Sequence, residues 1–117
     1  MRVFGLWYGD SSYSFGELFT DCESWATLAD AKHDLRHRYR NGYWSSASRA
    51  VAVNVDREEG TATLGPASEA LCPAVTEESY IDLYPTQRMG RGKWAVGDEP
   101  YARLVLGPRG GVRVESY

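Results

Sequence analysis

The chain predicts an α+β fold: an antiparallel sheet of four to six strands with one long amphipathic helix packed on one face. Three observations carry that prediction. Short segments rich in β-formers are separated by turn signals, one stretch has helical periodicity, and strand and helix never alternate as a parallel βαβ sheet would require.

Residues 2–8, RVFGLWY, begin the chain as a strand and end at the turn signal Gly9-Asp10-Ser11-Ser12. Two helix starts follow, Thr20-Asp21-Cys22-Glu23 and Thr27-Leu28-Ala29-Asp30, each placing an acidic side chain three residues after a capping hydroxyl. The second is the better placed. From 27 to 41 the chain is acidic early (Asp30, Asp34), basic late (Arg36, Arg38, Arg40) and stopped by Asn41-Gly42, so its charges oppose the helix dipole at both ends. Trp25, Leu28, Ala31, Leu35 and Tyr39 fall on one stripe, which predicts the core face.

Residues 50–56 and 61–64 flank Arg57-Glu58-Glu59-Gly60, a polar connection ending in glycine that predicts a hairpin. Residues 65–76 read as a loop with room for one helical turn, and 79–84 resume a strand that Pro85 ends. Gly90, Gly92 and Gly97 among many charges make 86–100 a surface loop, expected to be the most mobile ordered segment. A closing hairpin pairs 101–106 with 112–115 around Gly107-Pro108-Arg109-Gly110-Gly111.

At 117 residues the chain fits a single domain, 1–117, with no internal repeat or linker. Its 43% hydrophobic and 25% charged residues suit a self-folding globule. No apolar run approaches the ~20 residues that cross a bilayer, and the N-terminal segment lacks the length and cleavage site of a signal peptide. A soluble, unexported protein with no membrane association is therefore expected. The net charge of −3 argues against general affinity for polyanions, although a local basic patch is compatible with it. Cys22 and Cys72 are too few for a secreted disulfide scaffold and read as reduced thiols.

The residues 107–115, GPRGGVRVE, resemble the C-terminus of small uncharacterised proteins common in actinobacteriophage genomes. The opening Met1-Arg2-Val3 and the helical stretch 29–39 are similar to the same proteins. The resemblance covers about a third of the chain. It implies an origin in a phage or prophage, and so the host cytoplasm; it carries over no catalytic residue.

Several constellations have chemical potential. His33 and His37, four apart on the helix, have ligand spacing, but Arg36 and Arg40 share their face and no third ligand is evident; the set reads as a solvated basic face and no metal site or cofactor is expected. The glycine turn around Arg109 could cradle a phosphate with its backbone N–H groups, although a tight reversal demands the same glycines. Arg88, Arg91 and Lys93 beside Trp94 combine cations with a stacking ring. Four Trp and eight Tyr exceed what a small core hides, so some should face partners. With no catalytic constellation in view, the expectation is a non-enzymatic phage accessory protein that binds and modulates a host factor. The alternative is a binding module for a nucleotide or short nucleic acid through Arg88, Arg91, Lys93, Trp94 and Arg109. An exposed edge strand also makes a homodimer compatible with the sequence.

Overall fold

Strand follows strand along most of the chain. The computed structural model describes residues 1–8, 22–41, 48–65 and 75–117. Its elements in order are β1 (Val3–Tyr8), β2 (Cys22–Trp25), α1 (Leu28–Asn41), β3 (Val51–Asp56), β4 (Thr61–Leu64), β5 (Tyr80–Tyr84), β6 (Thr86–Gly90), β7 (Lys93–Val96), β8 (Ala102–Leu106) and β9 (Val112–Ser116). All nine strands join one antiparallel sheet in the order β6-β7-β4-β3-β2-β1-β5-β8-β9.

The expected hairpins form as their turn residues dictate. Between β3 and β4 the Asp56 carboxylate accepts the N–H groups of Glu58 and Glu59, both at 3.1 Å, and Gly60 closes the turn at φ 67°. Between β8 and β9 the N–H of Gly107 donates to the carbonyl of Gly111, and Gly110 takes φ 78°. The helix starts where the second capping pattern placed it: the Asp30 N–H donates to Thr27 Oγ1 at 3.1 Å.

The architecture nevertheless departs from the four-to-six-strand sheet under one long helix. The described residues hold nine strands, and α1 spans only 14 residues. Three strands were hidden. Cys22–Trp25 imitates a helix start because Glu23 follows Thr20 by three, yet pairing with both β1 and β3 makes it β2. The expected loop over 86–100 is instead the hairpin β6–β7, turned by Arg91-Gly92 with Gly92 at φ 73°. It lies at the sheet's edge with few buried side chains, so it lacks the apolar alternation that marks a strand.

The helical stripe also changes. Ala31 and Leu35 are buried, but with them go Asp34 and Arg38, while Tyr39 is 37% exposed. One side of the sheet packs Trp7, Trp25, Ile81, Leu83 and Leu104 against α1. Gly5 permits this closeness, because a Cβ there would overlap Ile81 Cγ2 and sit 3.0 Å from the Trp25 ring. On the other side Phe4, Val53 and Ala62 pack with Trp94 and Val96. Phe4 on β1 and Trp94 on β7 are four strand spacings apart, about 19 Å in a flat sheet, yet their ring centroids lie 5.3 Å apart. The sheet must therefore curl, as a half-barrel, with those side chains inside the curve.

Candidate binding face

Polar chemistry concentrates at two places, one on each side of the sheet. Between α1 and the sheet, the Arg38 guanidinium grips Glu23 of β2 bidentately, both contacts 2.7 Å, and donates through Nε to Asp34 at 3.2 Å. Asp34 accepts in turn from the Trp25 indole at 2.9 Å and from the Ser48 hydroxyl at 2.9 Å. Arg38 also lies over the Trp7 ring, 4.8 Å from its centroid. Both charged side chains of the Arg38–Asp34 pair have no solvent exposure. With Arg38 and Asp34 closed off and every polar atom of both partnered, this network holds α1 in register on the sheet.

On the opposite side the period-two alternation of β5 sends Tyr80, Asp82 and Tyr84 to the face away from the helix, while Ile81 and Leu83 enter the core. Cross-strand pairing sets Tyr8 beside Tyr80 and Arg103 beside Asp82. The Tyr8 and Tyr80 rings stack, centroids 5.3 Å apart and planes at 15°. From the β8 side the Arg103 guanidinium lies 4.4 Å from the Tyr80 centroid and donates to the Tyr117 hydroxyl at 2.8 Å. The Tyr117 hydroxyl donates to Asp82. A ladder Tyr8–Tyr80–Arg103–Tyr117 thus runs across β1, β5 and β8 to the residue that follows β9, over a buried carboxylate.

Its protonation follows from that burial. Desolvation lifts the Asp82 carboxyl above its ordinary range, partly offset by the Tyr117 hydroxyl and the Arg103 charge. Burial, then the hydrogen bond to Asp82, pushes Tyr117 up to about 12. Burial likewise raises Tyr80, with Asp82 adding to it, and raises Tyr84, with Tyr8 adding to it. These phenols are neutral hydrogen-bonding groups at physiological pH, and the strip presents aromatic edges, hydroxyls and one cation.

Tyr84 connects the strip to a small pocket of about 60 Å³ at the mouth of the curl. Phe4, Leu6, Cys22 and Val55 form its apolar lining, and Arg57 and Asp98 stand at its rim.

No family model matches this chain, and no curated protein or solved structure matches it either.

The residues singled out from sequence are dispersed. Arg88 and Trp94 are cross-strand partners on the β6–β7 hairpin, Arg91 is in its turn, and Lys93 opposite Gly90 begins its second strand. Trp94 is half-buried against Phe4, which commits one side of its ring to packing. Arg109 sits in the β8–β9 turn, at the other end of the strand order. His33 and His37 stack with centroids 5.9 Å apart. Among the described residues no three His, Cys, Asp or Glu side chains gather as a metal site, and no helix is long and apolar enough to cross a membrane. Arg38, one of the three late arginines of the helix, turns inward. Cys22 lines the pocket; Cys72 lies outside the described residues, as do most of the loop read over 65–76 and the helix start at Thr20.

Sequence motifs do not single out the tyrosine strip, yet its signal is present in one strand. YIDLY over 80–84 alternates two apolar side chains with Tyr, Asp and Tyr. Once Ile81 and Leu83 are assigned inward, the other three must share the outer face.

Proposed function

We propose that this chain is a non-enzymatic phage accessory protein that binds and modulates a host protein, docking it on the strip formed by Tyr8, Tyr80, Arg103 and Tyr117. The ladder on the face opposite α1 carries this reading. Tyrosine and arginine dominate the binding energy of protein interfaces because they combine large apolar area with polar edges. Here their mutual stacking fixes the rotamers before any partner arrives, which lowers the entropic cost of docking. Tyr80 also has Tyr8 on one side and Arg103 on the other, since β5 lies between β1 and β8, so its ring faces are already covered. That geometry suits a protein surface meeting ring edges better than a nucleobase seeking an open ring face.

The test is recovery of a stoichiometric host protein by the wild-type chain, compared with Tyr80→Ala and Arg103→Ala. Each substitution should weaken the complex by about 30-fold, the effect of losing a hot-spot side chain of ~2 kcal/mol. Undiminished binding by both variants would remove the strip from the interface. The pairing of Arg88 with Trp94 favours a second reading, a nucleotide or short nucleic acid held at the β6–β7 hairpin. Oligonucleotide binding whose salt dependence flattens in Arg88→Ser/Arg91→Ser/Lys93→Ser would select that reading instead.

A further inference from the structure

The sheet has two edges, and they are not equally protected. β6 is interrupted by a register shift between Arg88 and Gly90, a bulge of the kind that stops another strand from adding. β9 is regular over five paired residues, contains no proline or lysine, and is exposed at four of its five positions.

Its outward backbone groups follow from the ladder. Gly107 N–H donates to the Gly111 carbonyl and Tyr117 N–H to the Tyr101 carbonyl, so the hydrogen-bonded positions facing β8 are 111, 113, 115 and 117. The N–H and C=O groups of Val112, Val114 and Ser116 therefore point away from the sheet.

We propose that β9 is a self-recognition edge: two copies of this chain pair antiparallel along β9 about a two-fold axis at Val114. Both strands then offer their outward groups in the same register, Val114 to Val114 and Val112 to Ser116, for about six backbone hydrogen bonds. The same register sets Arg113 of each copy opposite Glu115 of the other. These two side chains already associate within one strand, Arg113 Nη2 to Glu115 Oε1 at 2.9 Å, so the pair of strands closes a ring of alternating charge. A two-fold at Arg113 or at Glu115 would instead put like charges face to face. Val114, 40% exposed in one copy, is covered by its own symmetry mate. The docking strip for a host protein is a separate matter: the dimer stands or falls without it.

Sedimentation velocity over a dilution series should show a monomer–dimer equilibrium with a Kd on the order of 10–100 µM, as suits so small an interface. Val114→Pro deletes an outward N–H and leaves the β8 ladder intact; it should weaken association at least about tenfold with the unfolding midpoint retained. Arg113→Glu and Glu115→Arg should each weaken it, and the double exchange should restore it. Register is read independently in a Cys22→Ser/Cys72→Ser background, where Val114→Cys should oxidise to a covalent dimer and Val112→Cys should not. A wild-type chain monomeric throughout the series, or a dimer indifferent to Val114→Pro, overturns the proposal. Cross-linking through position 112 in preference to 114 overturns the register.

Discussion

On the helix side of the sheet Arg38 and Asp34 are shut off from water and each of their polar atoms has a partner, whereas on the open side Asp82 lies under Tyr117 with Arg103 half-exposed beside it. Both sides place charge against aromatic rings: Arg38 over Trp7, Arg103 over Tyr80. The difference is what closes them. The first site is sealed by α1 and gives its whole bonding capacity to holding that helix. Among the described residues no element lies over the second, so its hydroxyls and cation face outward while its carboxylate is still poorly solvated. The closed side makes the fold, and the open side presents chemistry outward.

The largest effect should come from opening the closed side. Arg38→Ala leaves Asp34 and Glu23 without their shared cation, and breaking a buried pair in this way costs about 3–5 kcal/mol. Arg40→Ala, two residues along on the solvent side, should cost under about 1 kcal/mol. Urea melts of the two variants measure the contrast directly, and equal losses would mean that burial does not separate the sites.

Gly5→Val tests the same side by overfilling it. The added atoms collide with Ile81 and Trp25, so a loss of about 1–3 kcal/mol is expected from displaced packing. An unchanged midpoint would show that α1 and its partners yield more easily than a tightly packed layer should.

The smallest effect belongs to the open side and is read in its pH dependence. Because burial raises the folded-state carboxyl of Asp82 above its ordinary value, the folded protein holds that proton more tightly than the unfolded chain does. This contribution to stability is fully present below the ordinary carboxylate range and is lost as pH rises through the raised value. Asp82→Asn keeps an acceptor for Tyr117 and removes the titration. Its stability should therefore decline less than the wild type's across that acidic window, as followed by thermal melts at successive pH values. Parallel profiles would place the titration elsewhere.

Much of this fold was legible from local chemistry. The Thr27 cap, the Asp56 turn with Gly60, and the glycine reversal before Val112 are decided by neighbours in sequence, and each formed where those neighbours required. Six strands carried enough β-forming side chains to be read directly. β2, β6 and β7 did not. β2 exists because β1 and β3 flank it, and β6–β7 because an edge hairpin needs backbone partners more than apolar side chains. Apolar periodicity also could not show that Arg38 turns inward. A charge is buried only where Glu23 of β2 and Ser48 beyond the helix join Asp34, one turn away, in converging on it.

Residues a few positions apart settle the antiparallel character, the turns after Asp56 and Leu106 and the helix limits, and composition alone supplies the tyrosines and arginines. Tertiary structure alone decided the strand order, the curl that brings Trp94 onto Phe4, and the assembly of Tyr8, Tyr80, Arg103 and Tyr117 into one strip. Those contacts join residues far apart in the chain, and long-range strand pairing is selected by the total burial and backbone hydrogen bonding of the whole sheet, which no local window contains.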